Sequence, residues 1–367
     1  MIIFKTLIIS LSQLLSDEIK IWYKNNKRDL PWRNTKNPYK IWLSEIILQQ
    51  TQVKQGLPYY NKFLKAYADV HKLANAEEDE ILKMWQGLGY YSRARNLHFT
   101  AKYISKECKG KFPKTYKELL KLKGVGEYTA AAIASFAYDE PVAVLDGNVY
   151  RVLSRYFGID TPVNSTEGAK IFKSKAYEIL DENKPALHNQ AMMEYGALLC
   201  KPKSPDCMFC SLNPSCVAFQ QNKTKSLPVK LKKLKRKKRF FNYIIFQSSD
   251  KEMLIKQRLG KDIWQKLYEF PLLETQKPAN PRTVFDHELF KKLNLPTQIK
   301  PTKINSKTNK HVLTHQDIYA DFWLIECSID FKKFNLKDYE VVNYKSIRKF
   351  AVSILIDKFL NNHILED

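Results

Sequence analysis

Four cysteines fall within seventeen residues, Cys200, Cys207, Cys210 and Cys216, in the spacing C-x6-C-x2-C-x5-C. Thiolates gathered on so short a segment can complete the coordination of a [4Fe–4S] cluster or of one zinc ion. Common structural zinc sites pair two CxxC or CxxC/HxxxH units. A single CxxC with longer arms, set among helical segments, favours iron–sulfur. A disulfide framework would spread its cysteines along the chain, and the other two, Cys108 and Cys327, stand alone and read as buried thiols. The pattern points to a reducing compartment, so a cytoplasmic location is expected. Electron transfer is the weaker reading, because ligands for only one cluster are present and no flavin or haem motif accompanies them.

Around the cluster the chain reads as helix after helix. Apolar residues recur three and four apart over 38–55, 77–86, 91–106, 115–122, 128–137, 148–157 and 166–179, each bounded by Gly, Pro, Asn or Asp. The character then changes. Residues 230–239 hold eight Lys or Arg in ten positions, which reads as a solvated linker able to touch phosphate. Beyond it, 240–246, 252–257 and 319–327 are rich in aromatic and β-branched residues and predict strands, with helices over 285–293 and 346–361. This gives an all-α region over 10–225, a basic linker over 226–239 and an α+β domain over 240–367.

The formal charge of +23, from 61 Lys and Arg against 38 Asp and Glu, calls for a polyanionic partner. Nucleic acid is the first reading, since phosphate neutralisation releases counterions. No run approaches the ~20 apolar residues that span a bilayer, and the apolar start is broken by Lys5 and lacks a cleavage site, so neither a membrane protein nor a signal peptide is expected.

Two motifs carry chemistry. Leu122-Lys-Gly-Val-Gly-Glu-Tyr-Thr129 places Gly124 and Gly126 directly before an apolar helix, where backbone N–H groups can approach a phosphate. A tight turn between packed helices would explain the glycines equally well. Twenty residues beyond Gly126, Leu145-Asp-Gly-Asn-Val149 opens another helix with Asp146, whose commonest role there is an N-cap. The order of hairpin, Asp and four cysteines resembles the helix-hairpin-helix glycosylases of the endonuclease III superfamily.

Within that superfamily, Asp29-Leu-Pro-Trp-Arg33, the stretch from Asn37 to Thr51 containing Ser44-Glu-Ile-Ile-Leu-Gln-Gln-Thr51, and Trp85-Gln-Gly-Leu-Gly-Tyr-Tyr-Ser-Arg-Ala-Arg95 resemble the adenine DNA glycosylase family. The resemblance implies a base excision repair enzyme that hydrolyses the N-glycosidic bond of adenine, with a [4Fe–4S] cluster on the four cysteines. It implies Glu45 as general acid, Asp146 as stabiliser of the sugar cation, and Tyr128 and Asn148 as orienting groups. It also implies DNA contacts by Arg33, Gln50, Thr51, Leu88, Tyr90, Gly124 and Gly126, with Gln50, Leu88 and Tyr90 wedging into the base stack. From the residues alone, Glu45 would be a solvated helical Glu, Gln50 a capping amide, and Leu88 and Tyr90 core. Bifunctional relatives carry a lysine at the position of Tyr128; tyrosine cannot form a Schiff base, so a monofunctional enzyme is expected.

The carboxy-terminal segments Ile263-Trp-Gln-Lys-Leu-Tyr-Glu-Phe-Pro-Leu272 and His311-Val-Leu-Thr-His-Gln316 resemble the NUDIX-like domain that inspects the base opposite adenine in this family. Lys266 stands where a NUDIX hydrolase needs Glu, so no hydrolysis is expected there. Thr314 and His315 are the expected 8-oxoguanine contacts, in a loop that has Leu313-Thr-His315 where many relatives have Phe-Ser-His. A β-turn with a packed His is the alternative. The expected partner is duplex DNA bearing A:8-oxoguanine or A:G mispairs, bound by a monomer.

Overall fold

The computed structural model describes residues 2–231, 236–296 and 298–363. It divides into two compact units, Met1–Ala74 with Phe99–Lys232, and Asn75–His98 with Lys233–Asp367.

The first unit is helical. Its core gathers Leu15, Ile19 and Tyr23 from helix Ile2–Asn26, Val152 and Tyr156 from helix Gly147–Phe157, and Met192 and Tyr195 from helix Pro185–Leu198. Residues far apart in sequence thus close one apolar centre, whose burial drives the fold. Polar joints lock it: Ser16 Oγ lies 3.0 Å from the buried His188 Nδ1, and Lys20 pairs with Asp181 at 2.6 Å.

The helix expected over 38–55 is two helices, Pro38–Leu48 and Val53–Ala66. Asn37 caps the first by accepting from Tyr39 N and Lys40 N, and Pro38 at its first position needs no hydrogen bond. The break falls at Gln49–Gln52, where Gln50 takes φ +55°. The apolar periodicity continues across the break and conceals it. The hairpin helix is Glu127–Tyr138, preceded by the single turn Tyr116–Leu119, shorter than the expected 115–122 and closed by a Thr115–Glu118 capping box.

The second unit holds eight strands in one mixed sheet among the described residues. Strands Lys237–Gln247 and Gln316–Glu326 run parallel along their whole length, from Lys237 opposite Gln316 to Gln247 opposite Glu326. Leu272–Thr275 and Asn309–Val312 flank them antiparallel. One face stacks Tyr243, Phe322 and Phe359; the other packs Ile244, Phe246 and Trp323 against Leu289 and Phe290. The helix expected over 285–293 is two short turns, Pro281–Val284 and Leu289–Lys292, and the last helix is Ile354–His363 rather than 346–361.

The linker reading of 226–239 needs correction at its end. Lys237 to Arg239 already belong to a strand, and Arg239 pairs with Asp262 and Glu274 at 2.7 and 2.6 Å instead of standing in solvent. Residues 232–235 of the basic run lie outside the described residues.

Residues 75–98, which sequence patterning places in the helical region, cluster with the carboxy-terminal unit. Side chains explain why. Lys83 Nζ donates to Phe350 O at 3.0 Å, Gln86 Nε2 to Asp357 Oδ1 at 2.7 Å, and Arg95 Nη1 to Gln265 O at 2.7 Å. No helix among the described residues is long and apolar enough to cross a membrane.

Candidate active site

Glu45 sits on helix Pro38–Leu48 with 4% of its surface exposed. The solvated position that a lone helical Glu suggests is not what the fold provides. Glu45 faces a cavity of about 170 Å³ that Tyr128, Asp146, Asn148, Arg33 and Glu194 also line. Tyr128, on the first turn of the hairpin helix, donates its hydroxyl to Glu45 Oε2 at 2.7 Å. Burial pushes the Glu45 carboxyl up to about 7; the Tyr128 hydrogen bond and the Arg33 charge oppose the shift, and Asp146 adds to it. Burial and the neighbouring carboxylates keep the Tyr128 phenol protonated, well above its ordinary range.

Asp146 is an N-cap, and more. Its Oδ1 accepts from the backbone N of Asn148 and of Val149, at 2.9 and 2.8 Å, and its Oδ2 accepts from Asn148 Nδ2 at 2.6 Å. Burial raises its pKa, while these three donors favour the charged form. Asn148 is fixed in turn, because Arg151 Nη2 donates to its Oδ1 at 2.8 Å. Arg151 also donates to Cys200 O and Gly196 O, and so joins the Asp146 helix to the cysteine segment. Gly196 permits this closeness: a Cβ there would stand 2.7 Å from Asn148 Cβ and 2.8 Å from Asn148 O.

A third carboxylate completes the pocket. Glu194 is buried, and burial alone would raise its pKa. Arg33 and Arg28 each donate to both of its oxygens at 2.6–2.9 Å and hold it down at about 2. Arg33, expected at DNA, therefore stands in the pocket wall with its guanidinium on Glu194. Sequence reading passed over Glu194, Arg28, Arg151 and Gly196. Their partners lie up to 166 residues away, and only an unusually placed Glu in an apolar helix hinted at a buried pair.

The other expected residues divide. Gln50 is exposed at a left-handed position; its neighbour Gln49 donates to Thr129 Oγ1 at 3.0 Å, anchoring the helix end on the hairpin helix, and Thr51 lines the pocket. Gly124 is exposed at φ +81°, and the space above Gly126, the N-cap of the hairpin helix, is open to at least 4 Å from a built Cβ. That is the opening a phosphate would need. In the second unit Leu88 is buried and Tyr90 is 47% exposed. Thr314 and His315 are exposed on the loop between strands Asn309–Val312 and Gln316–Glu326, and Thr314 Oγ1 lies 2.5 Å from Tyr90 Oη.

Cys200, Cys207, Cys210 and Cys216 are free and half-buried, and three of them, Cys200, Cys210 and Cys216, pack against the helical core. Arg155 Nη1 donates to Cys200 Sγ at 3.3 Å, and Tyr195 Oη lies 2.9 Å from Cys210 Sγ. Among the described residues no three His, Cys, Asp or Glu side chains form a group that could hold a metal ion.

Known proteins resemble this chain in both of its regions. Residues 43–175 match the model of the HhH-GPD superfamily base excision DNA repair proteins, and residues 242–362 match a NUDIX domain. The chain is 37% identical over 313 residues to the adenine DNA glycosylase of Buchnera aphidicola subsp. Baizongia pistaciae, covering 83% of this chain and 84% of that one. It is 38% identical over 271 residues to the adenine DNA glycosylase of Buchnera aphidicola subsp. Schizaphis graminum, covering 72% of this chain and 76% of that one. Among solved structures, a thermostable thymine-DNA glycosylase matches with a TM-score of 0.54 and 29% identity, over 58% of this chain and 98% of that one. With 37% identity to an adenine DNA glycosylase over most of both chains, and with an HhH-GPD region followed by a NUDIX region, the chain belongs to the adenine DNA glycosylase family of base excision repair proteins.

Proposed function

We propose that this protein removes adenine mispaired with 8-oxoguanine or guanine from duplex DNA, as a monofunctional and monomeric glycosylase. The observation that carries the reading is the Glu45–Tyr128 hydrogen bond inside the cavity that Asp146 also lines. Adenine inside a duplex is out of reach, so the nucleotide is flipped into that cavity. Gln50, Leu88 and Tyr90 act on the stack it leaves, and the backbone at Gly124 and Gly126 holds the strand by phosphate.

Glu45 protonates a ring nitrogen of the bound purine. Tyr128 occupies Oε2 and leaves Oε1 to carry the proton, and a pKa of about 7 keeps a large fraction of the carboxyl protonated at neutral pH. As the base departs, the sugar becomes an oxocarbenium-like cation. The Asp146 carboxylate, whose charged form three hydrogen bonds favour against its burial, stabilises that charge, and Asn148 keeps it aimed. Water completes the hydrolysis and leaves an abasic site. With Tyr128 at the hairpin helix, the position expected to bear a lyase amine bears a phenol instead.

The four thiols are the donor set a [4Fe–4S] cluster takes, although they do not converge as a single-ion site among the described residues; Arg155 Nη1 donates to Cys200 Sγ and Tyr195 Oη lies beside Cys210 Sγ. Cys200, Cys207, Cys210 and Cys216 would hold it, and when bound it supplies a cross-link of the cysteine segment. About four irons per chain are expected on analysis; stoichiometric zinc without iron would count against it. Thr314 and His315 would read the opposing base from residues 240–367.

The decisive test is incubation with duplexes bearing A opposite 8-oxoguanine, G, C and T, scored for base release. Release confined to the first two, with strand scission only after hot alkali and no borohydride trapping, is the expected result. Release of a pyrimidine, or efficient trapping, would overturn the reading.

A further inference from the structure

The turn that carries Tyr90 holds that one residue in a costly conformation, between glycines that adopt theirs freely. Gly87, Gly89 and Tyr90 take φ of +99°, +71° and +47°, so three of four consecutive residues are left-handed, one of them an aromatic. Such backbone persists only where its surroundings hold it. Arg93 does the holding. It is 8% exposed, and its Nη2 donates to the carbonyls of Leu88 and Gly89 at 3.2 and 3.1 Å. Its guanidinium lies 5.1 Å from the ring centre of Trp85 and 5.8 Å from that of Tyr90. Trp85 adds a bond of its own, from Nε1 to Gly89 O at 3.1 Å. Burial draws the Arg93 pKa down to about 10, which leaves the group charged at neutral pH. At the far end of the ring, the Tyr90 hydroxyl meets Thr314.

We propose that Arg93 is the positioning residue of the Tyr90 wedge, keeping the turn ready-folded so that the ring, steered at its hydroxyl by Thr314, enters the base stack without first being ordered. This rests on the reading of Tyr90 as a DNA wedge. Tyr90 and Thr314 share one hydrogen bond, so wedge and inspecting loop engage DNA as one unit. Arginine suits the task where lysine does not. One terminal nitrogen, Nη2, serves both carbonyls while the guanidinium carbon lies over both rings, and a lysine ammonium, a single compact charge, cannot sit on the carbonyls and over both rings at once.

The test is a double-mutant cycle in the full chain. The probe is a duplex with A opposite 8-oxoguanine and 2-aminopurine beside the lesion, whose fluorescence rises when stacking is broken. Arg93→Met and Tyr90→Leu should each weaken binding about tenfold and flatten the fluorescence rise. The double variant should be no worse than either single one. Arg93→Lys should fall with Arg93→Met, and it supplies the cycle if the Met variant does not fold. The hydroxyl arm pairs Thr314→Val with Tyr90→Phe, again with no further loss in the double. Losses that multiply in the first cycle, or wild-type binding by Arg93→Met, would overturn the role of Arg93. Multiplying losses in the second would remove Thr314 from the account. Adenine release by the unsubstituted chain is scored in the same samples. Its absence would overturn the proposed function, while the fluorescence cycle would still judge the wedge.

Discussion

Two buried glutamates, one in each unit, show how differently the same burial can be used. Glu45 in the helical unit and Glu269 in the β-rich unit are 4% and 3% exposed. Burial pushes both carboxyls up. At Glu269 the Arg258 guanidinium answers with two bonds, 2.8 and 2.9 Å, within a network that includes Asp262, Arg239 and Glu274. At Glu45 the donated bond is the neutral one from Tyr128, and a cavity lies in front. A shifted acid becomes a candidate only with the cavity and with a second carboxylate such as Asp146 beside it. The Glu269 cluster is architecture: an ion pair that fixes strand Tyr268–Glu269 to the loop at Arg258.

Replacing the acid should separate the two most sharply. Glu45→Gln keeps the Tyr128 hydrogen bond but carries no transferable proton, so adenine release should fall about 10²–10⁴-fold. Stability should move the other way. Glu45 has a folded pKa of about 7 against an ordinary 4.5. Its raised value favours the folded state fully below about pH 4.5, and that advantage is lost as the pH rises through about 7. At about 1.4 kcal/mol per pH unit the loss comes to about 3 kcal/mol, which the Gln variant avoids. Urea melts at pH 5 and pH 8 measure it: the variant should match wild type at pH 5 and exceed it at pH 8. The wild-type single-turnover rate should fall with a midpoint near pH 7; a flat profile to pH 9 would remove Glu45 as the acid.

Glu269→Gln should do the reverse. It takes the carboxylate from a buried guanidinium, a loss on the order of 3–5 kcal/mol, seen as a lower urea midpoint at pH 8. A variant as stable as wild type there would mean that Glu269 is neutral in the folded state, and the contrast with Glu45 would collapse.

Sequence legibility follows the same division. The helices of the first unit and the strands 240–246, 252–257 and 319–327 could be read because side-chain period is a local property. Family resemblance located Glu45, Tyr128, Asp146 and Asn148, and the fold brings all four to one cavity. Periodicity says nothing about which distant element meets a given face. The pairing of Glu194 with Arg28 and Arg33, the reach of Arg151 to Cys200, and the packing of residues 75–98 with the carboxy-terminal unit were therefore hidden. The break at Gln50 was hidden for another reason: its conformation is one that glutamine seldom adopts, so composition gave no sign of it.

Gly196 offers a smaller test of the helical site. Gly196→Ala forces a methyl against Asn148, at a cost of about 1–3 kcal/mol for overpacking. Because Asn148 aims Asp146, the single-turnover rate at saturating enzyme should fall about tenfold, while DNA affinity changes less. Thermal melts with rate measurements below the melting range separate the two effects. An unchanged rate in a destabilised protein would show that Asn148 does not set the carboxylate.

The smallest effect concerns backbone strain, which both units also carry. Gln50 and Lys266 take φ of +55° and +70°. A non-glycine residue there costs roughly 1–2 kcal/mol, and glycine gives back roughly half through its greater freedom when unfolded. Each change to glycine should therefore stabilise by about 0.5–1 kcal/mol. Lys266 loses little else, since its contact with Glu78, 3.8 Å away, is a solvent-exposed ion pair of small value. Lys266→Gly should thus raise the melting temperature by a few degrees and leave affinity for the A:8-oxoguanine duplex within about twofold, since it removes one half-exposed charge and no group assigned to the base stack. Gln50→Gly should gain similar stability but lose affinity by about tenfold, because its strain presents an amide to the opened stack. Titrations of both variants against one labelled duplex make the comparison. Equal affinities would mean that the strain at Gln50 only ends a helix, as a glycine would, and that the wedge belongs to Leu88 and Tyr90.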